Sequence, residues 1–208
     1  TMFCINAINR FDWINAQASW VSSIGFLTIF ILIKFVVMRY YSEFNNLEAL
    51  TFVSDTALVL AIVSLISAII EFKPLGLLRD IGVMFFWFSL AYLSIVWGAK
   101  IGTLVVVLSL VLFDSIRVGL YRIFVMKKNP LKWDYTHLHH RLQRLGRTRW
   151  EVRGFVWIWS LIMMVFILIQ WANRLNKIII FLIMAVVFFG LNYYLFIIIF
   201  YIFCNSKR

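Results

Sequence analysis

The run His137-Leu138-His139-His140-Arg141-Leu142 sets three imidazoles beside a guanidinium, in a basic stretch bounded by long apolar segments. Arginine forks match phosphate oxygens, and histidine donates, accepts or carries a proton near neutral pH, so this grouping suits a phosphorylated ligand. On a helix, His137, Arg141 and Arg144 stand at i, i+4 and i+7 and share one cationic face, with His140 adjacent and His139 pointing elsewhere. Zinc is the usual rival for clustered histidines, but no cysteine is near and no His-Glu-x-x-His pattern occurs. Attraction of Lys and Arg to lipid headgroups accounts for the bases but does not call for three histidines.

Three further groups could do chemistry. Asp114, Arg117 and Tyr121 fall at i, i+3 and i+7 within an apolar run and so share a face that must turn from lipid. Charge inside hydrocarbon costs about 2.5 to 3.5 kcal/mol on insertion scales, so such groups mark either a functional site or a self-neutralising structural pair. Asn6, Asn9, Asp12 and Asn15 recur every third residue: a stripe of oxygens that could hold a hard cation such as Mg²⁺, or a set of caps for a helix N-terminus. Asp80, after the polar break Glu71-Phe72-Lys73-Pro74 and before Gly82, reads as an N-cap or as a ligand, and a lone Asp is a weak signal for the latter.

The elements that must position these residues are membrane helices. Of 208 residues, 63% are hydrophobic, well above an ordinary water-soluble globule. Apolar runs long enough to cross about 30 Å of hydrocarbon recur without the alternation of a β-barrel. The expectation is an all-α polytopic bundle of about six spans forming a single membrane domain over 1–208: about Ser19 to Arg39, Phe52 to Ile70, Ile81 to Trp97, Ile101 to Tyr121, Phe155 to Trp171 and Ile178 to Phe203. Trp20, Trp97, Trp157 and Trp171 lie near span ends, as interfacial anchors do. Cys4 and Cys204 carry no metal-ligand spacing.

Orientation follows from the bases. The 122–153 loop carries nine Lys and Arg, from Arg122 to Arg153, and is expected to be cytoplasmic in a cell (cytoplasmic) membrane. Alternation then puts Arg10, Lys73, Arg79 and Lys207-Arg208 on the same side, against Glu43, Glu48 and Asp55 on the other. The Asn9 to Asn15 segment, the Arg79-Asp80 turn and the His137 loop thus meet one surface, with Asp114 deeper on that side. The net charge of +11 is explained by these flanks and membrane lipids rather than by nucleic acid.

The runs Asp114-Ser115-Ile116-Arg117-Val118 and Asn129-Pro130-Leu131-Lys132-Trp133-Asp134-Tyr135-Thr136-His137-Leu138-His139-His140-Arg141-Leu142, then Gly146, closely resemble the polyprenyl-phosphate N-acetylhexosamine-1-phosphate transferases (glycosyltransferase family 4), bacterial undecaprenyl-phosphate GlcNAc-1-phosphate transferases above all. In that family an Asp-containing span leads to a His-x-His-His signature. Asn6-Ala7-Ile8-Asn9-Arg10-Phe11-Asp12-Trp13-Ile14-Asn15-Ala16-Gln17-Ala18 is similar to its Asn-Ala-x-Asn-x-x-Asp-Gly-x-Asp-Gly-Leu-Ala motif, and Leu78-Arg79-Asp80-Ile81-Gly82 to its Met-Gly-Asp-Ser-Gly turn.

The resemblance implies Mg²⁺-dependent transfer of a sugar-1-phosphate, GlcNAc-1-phosphate in the nearest relatives, from a UDP-sugar to polyprenyl phosphate, releasing UMP. Carried over, Asp80 and Asn15 hold the metal, and Asp80, Asp114 and His137 are catalytic. Asn9, Asp12, His139, His140 and Arg141 bind substrate. Asn15 stands where the motif has its second Asp, Trp13, Ala16 and Arg79 replace motif glycines, and no two acidic residues are adjacent. The family has about twice as many spans, so the chain resembles its C-terminal half, with a missing N-terminal half or complementary subunit as partner; the opening Thr1-Met2-Phe3, already apolar, agrees. A catalytically impaired homologue that binds nucleotide sugar or lipid phosphate, and a transporter or scaffold with charges lining a cavity, are the alternatives.

Overall fold

A computed structural model describes residues 16–37, 47–72, 79–96, 108–127 and 137–173, with isolated positions 106, 186 and 190. All the regular structure among them is helical: α1 (Gln17–Ile31) continuing into a π-helical turn over Leu32–Val37, α2 (Leu47–Phe72), α3 (Arg79–Val96), α4 (Ser109–Phe124), the short α5 (Leu138–Arg144) and α6 (Arg149–Asn173).

α1 is the hub. It packs on α2, α3 and α6, and residues on every side of it are buried, from Ala18, Val21 and Ile24 to Phe26 and Ile29. A helix apolar all round has no face to offer water and is stable only inside other helices or lipid. The outer helices are apolar on both sides: Val53, Ala57 and Ala61 of α2 join the core, while Val59, Ile62 and Ile66 are exposed outward. That outward face suits hydrocarbon. Gly25 permits the close approach of α1 to α3, because a Cβ there would stand 3.0 Å from a Leu90 methyl.

Hydroxyls inside these apolar helices return to their own backbone. Thr28 donates to the Ile24 carbonyl at 2.7 Å, Ser94 to Leu90 at 2.8 Å and Ser160 to Val156 at 2.9 Å, so none of them needs water. Ser23 instead donates across to the Ala61 carbonyl at 2.9 Å, linking α1 to α2.

Three helices, Gln17–Phe35, Glu48–Phe72 and Arg149–Ile169, are long and apolar enough to cross a membrane. α3 offers a shorter apolar stretch, Ile81–Val96, and α4 is 16 residues carrying Asp114, Arg117 and Arg122. The expected sixth span lies almost wholly outside the described residues. The expected loop 122–153 is in part helical: Arg122 is buried in the last turn of α4, and α6 already begins at Arg149. Trp20 and Trp157, expected as separate interfacial anchors, stack on each other at 4.3 Å between α1 and α6.

Local chemistry shapes the segment between α4 and α6. Gly146, at φ 80, ends α5: its N–H donates to the Gln143 carbonyl at 3.0 Å, and the Arg147 N–H to Leu142 at 3.2 Å. This pair of bonds satisfies the last carbonyls and needs the left-handed conformation glycine supplies. Two residues later Thr148 and Glu151 cap α6 reciprocally, the Thr148 N–H donating to the carboxylate at 2.8 Å and the Glu151 N–H to the hydroxyl at 3.3 Å. Two helix ends within six residues therefore fix the angle at which α5 lies on α6.

Candidate functional site

The site is built where α5 meets α4. His137 precedes α5 in extended conformation, φ −61 and ψ 156, so its side chain turns away from its own helix. Its Nδ1 lies 2.9 Å from Asp114 Oδ2, and the Leu138 N–H donates to both carboxylate oxygens at 3.1 Å. Arg117, one turn along α4, donates to Asp114 Oδ1 at 3.1 Å. Asp114 is 0% exposed, and its charge is met from three directions.

Around this carboxylate the motif residues gather. His139 stacks on His137 with ring centroids 5.9 Å apart and planes 7° apart, and it lies 4.1 Å from the His140 ring. Burial, reinforced by the neighbouring His140, pushes the His139 imidazole down to about 3, so it is neutral at physiological pH. Burial and the Arg117 guanidinium lower Arg141 to about 10, which leaves it charged. Arg144 is exposed.

This arrangement corrects the single cationic face expected of His137, Arg141 and Arg144. His137 is the N-cap of α5, extended itself while its carbonyl accepts from the Arg141 N–H at 3.0 Å, and the buried set is His137, His139 and Arg141, without Arg144. The self-neutralising Asp114 and Arg117 pair exists, but the same carboxylate also receives α5. Tyr121, expected to share the protected face, is exposed.

No protein-family model, curated protein or solved structure matches this chain.

Asn9, Asp12 and Asn15 lie outside the described residues. Asp80 is the second residue of α3, inside the first turn rather than at the capping position before it; nothing is described of its side chain. Among the described residues no group of three His, Cys, Asp or Glu is arranged to hold a metal. Asp114 does not suit one either, because both its oxygens already accept strong donors.

A second polar cluster escaped sequence reasoning. At the end of the bundle formed by the start of α1, the end of α2 and the start of α6, Ser19 donates to the buried Glu71, and Arg153 lies 4.7 Å from both the Phe72 and Trp150 ring centroids. A Glu next to a polar break reads as a helix end, and only packing reveals its partners.

Proposed function

We propose that this chain carries a cytoplasmic-face site for Mg²⁺-dependent transfer of GlcNAc-1-phosphate from a UDP-sugar to polyprenyl phosphate. The observation that carries the reading is the contact between Asp114 and His137, which joins the Asp-containing helix and the His-x-His-His-Arg segment of the resemblance into one buried cluster. Two backbone conformations support it. Ala16, which aligns with a motif glycine, has φ 66, and Gly146 has φ 80; both lie in the left-handed region that glycine favours.

In this reading a lipid phosphate oxygen attacks the sugar-proximal phosphorus. The bond from that phosphorus to the bridging oxygen breaks, and UMP leaves with the electron pair. Such a reaction needs positioning and charge neutralisation more than covalent help from the protein. Arg141, charged and adjacent to the histidines, supplies part of that neutralisation. Asp80 and Asn15, whose hard oxygens suit Mg²⁺, would hold that ion, which would supply the rest of the neutralisation.

The test is transfer of radiolabel from UDP-GlcNAc into the organic phase by the protein in lipid nanodiscs with polyprenyl phosphate. Incorporation should require Mg²⁺ and stop with EDTA. Incorporation indifferent to metal rejects the mechanism, and UDP-GlcNAc binding without turnover identifies an impaired homologue.

A further inference from the structure

Asp114 uses both carboxylate oxygens within the protein. A guanidinium and a backbone amide can only donate, and Leu138 bridges the two oxygens, so the carboxylate is an acceptor throughout. It therefore accepts from His137 Nδ1, which assigns the ring proton to that nitrogen. In the neutral ring with its proton on Nδ1, the lone pair is on Nε2. That atom is buried and has no hydrogen-bond partner among the described residues. Burying an acceptor without a donor is costly, so a ligand that brings one is favoured there.

We propose that Asp114 is a positioning residue: it holds His137 as the Nδ1–H tautomer and so makes Nε2 a hydrogen-bond acceptor for a donor group of the nucleotide sugar, a hydroxyl or the uracil N–H. This assignment rests on the transferase reading and refines it. A lone pair on Nε2 repels phosphate oxygens, so the pyrophosphate falls to Arg141 and His137 reads the organic part of the substrate. Asp114 itself touches no substrate. An asparagine in its place keeps an oxygen for Leu138 but turns a donor amide toward Nδ1, which selects the opposite tautomer, Nε2–H.

The experiment combines a spectroscopic readout with ligand binding, on the protein in nanodiscs. Histidine labelled with ¹⁵N, with His137 assigned by its loss in His137→Asn, should show Nδ1 protonated and Nε2 bare near neutral pH. Asp114→Asn should exchange the two. In titrations, Asp114→Asn and His137→Ala should each weaken UDP-GlcNAc by about tenfold, while inorganic pyrophosphate binding stays within about twofold. His137→Asn, whose amide oxygen accepts, should recover part of the loss. It also leaves the contacts of Asp114 with Leu138 and Arg117 in place if Asp114→Asn proves unfolded.

A wild-type His137 protonated on Nε2 overturns the proposal. So do equal losses for UDP-GlcNAc and pyrophosphate, which would mean that Asp114 only holds α5 in place. If wild-type protein binds pyrophosphate but no UDP-sugar, the transferase reading fails and takes the ligand assignment with it. The tautomer measurement then still decides whether Asp114 sets the His137 proton.

Discussion

Ser19 Oγ donates to Glu71 Oε2 at 2.7 Å, joining the first turn of α1 to the last turn of α2. The two helices run antiparallel, so this contact marks one end of the bundle, the end at which α6 begins and on which the candidate site lies. Glu71 is buried, and the attraction between it and Arg153 brings α6 into the same cluster. Ser19→Ala removes one donor from a buried carboxylate, which should cost about 1 to 3 kcal/mol. Glu71→Gln keeps an acceptor for Ser19 and should cost less than Glu71→Ala. Reversible unfolding in mixed micelles measures all three; a Ser19→Ala protein as stable as wild type would show that the contact contributes nothing.

Ala16 opens α1 at φ 66 with its residue fully buried. A left-handed alanine is strained by about 1 to 2 kcal/mol, against which glycine loses somewhat more chain entropy on folding. Ala16→Gly should therefore stabilise the protein by about 0.5 to 1 kcal/mol. Ala16→Val, whose branched side chain tolerates this conformation worse, should destabilise it. If Ala16→Gly proves destabilising, the strain assigned to this turn is absent.

Much of the helical architecture was legible because the membrane imposes it: a run of about 20 apolar residues has few other ways to satisfy its backbone. The spans predicted from Ser19, Phe52 and Phe155 correspond to α1, α2 and α6. The fourth was harder. Asp114, Arg117 and Arg122 interrupt its apolar run, and the helix extends past the expected end to Phe124. Within the site, residue types were legible but pairing was not. Asp114 meets His137 across 23 positions and also takes the Leu138 backbone N–H, a donor that every residue but proline owns. Which histidines are buried depended on a one-residue question, whether α5 starts at His137 or at Leu138.

His139 makes the protein's stability depend on pH in a predictable direction. Its folded value, about 3, lies below the usual 6.5, because burial and then His140 disfavour the imidazolium. As pH falls below about 6.5 the unfolded chain takes the proton first, so the stability His139 contributes is complete above that point and is lost down to about 3. The slope attributable to this one residue is at most about 1.4 kcal/mol per pH unit. His139→Asn should be flatter than wild type between pH 4 and pH 6, a range taken from roughly the middle of that window. Parallel curves would show that His139 is solvated in the protein.

Arg141 and Lys127 separate a ligand site from general attraction to anionic surfaces. Both are cationic and lie on either side of the same connection, but Arg141 is buried beside the histidines whereas Lys127 is exposed just past the end of α4, at φ 49. If Arg141 holds the pyrophosphate of a nucleotide sugar, Arg141→Ala should weaken UDP-GlcNAc by about 1.5 to 3 kcal/mol, the worth of a hydrogen bond to a charged group. His140→Ala should fall in the same range, because its ring lies against His139 in the same cluster. Lys127→Ala should leave nucleotide affinity nearly unchanged and instead reduce association with vesicles rich in anionic lipid, since a juxtamembrane base contributes about 1 kcal/mol at such a surface. Titrations at two salt concentrations decide between the two kinds of attraction. Screening weakens an exposed charge far more than a buried one, so the Lys127 effect should fade with salt while the Arg141 effect persists. Losses of similar size at all three positions, fading together with salt, would reduce the histidine segment to a cationic patch.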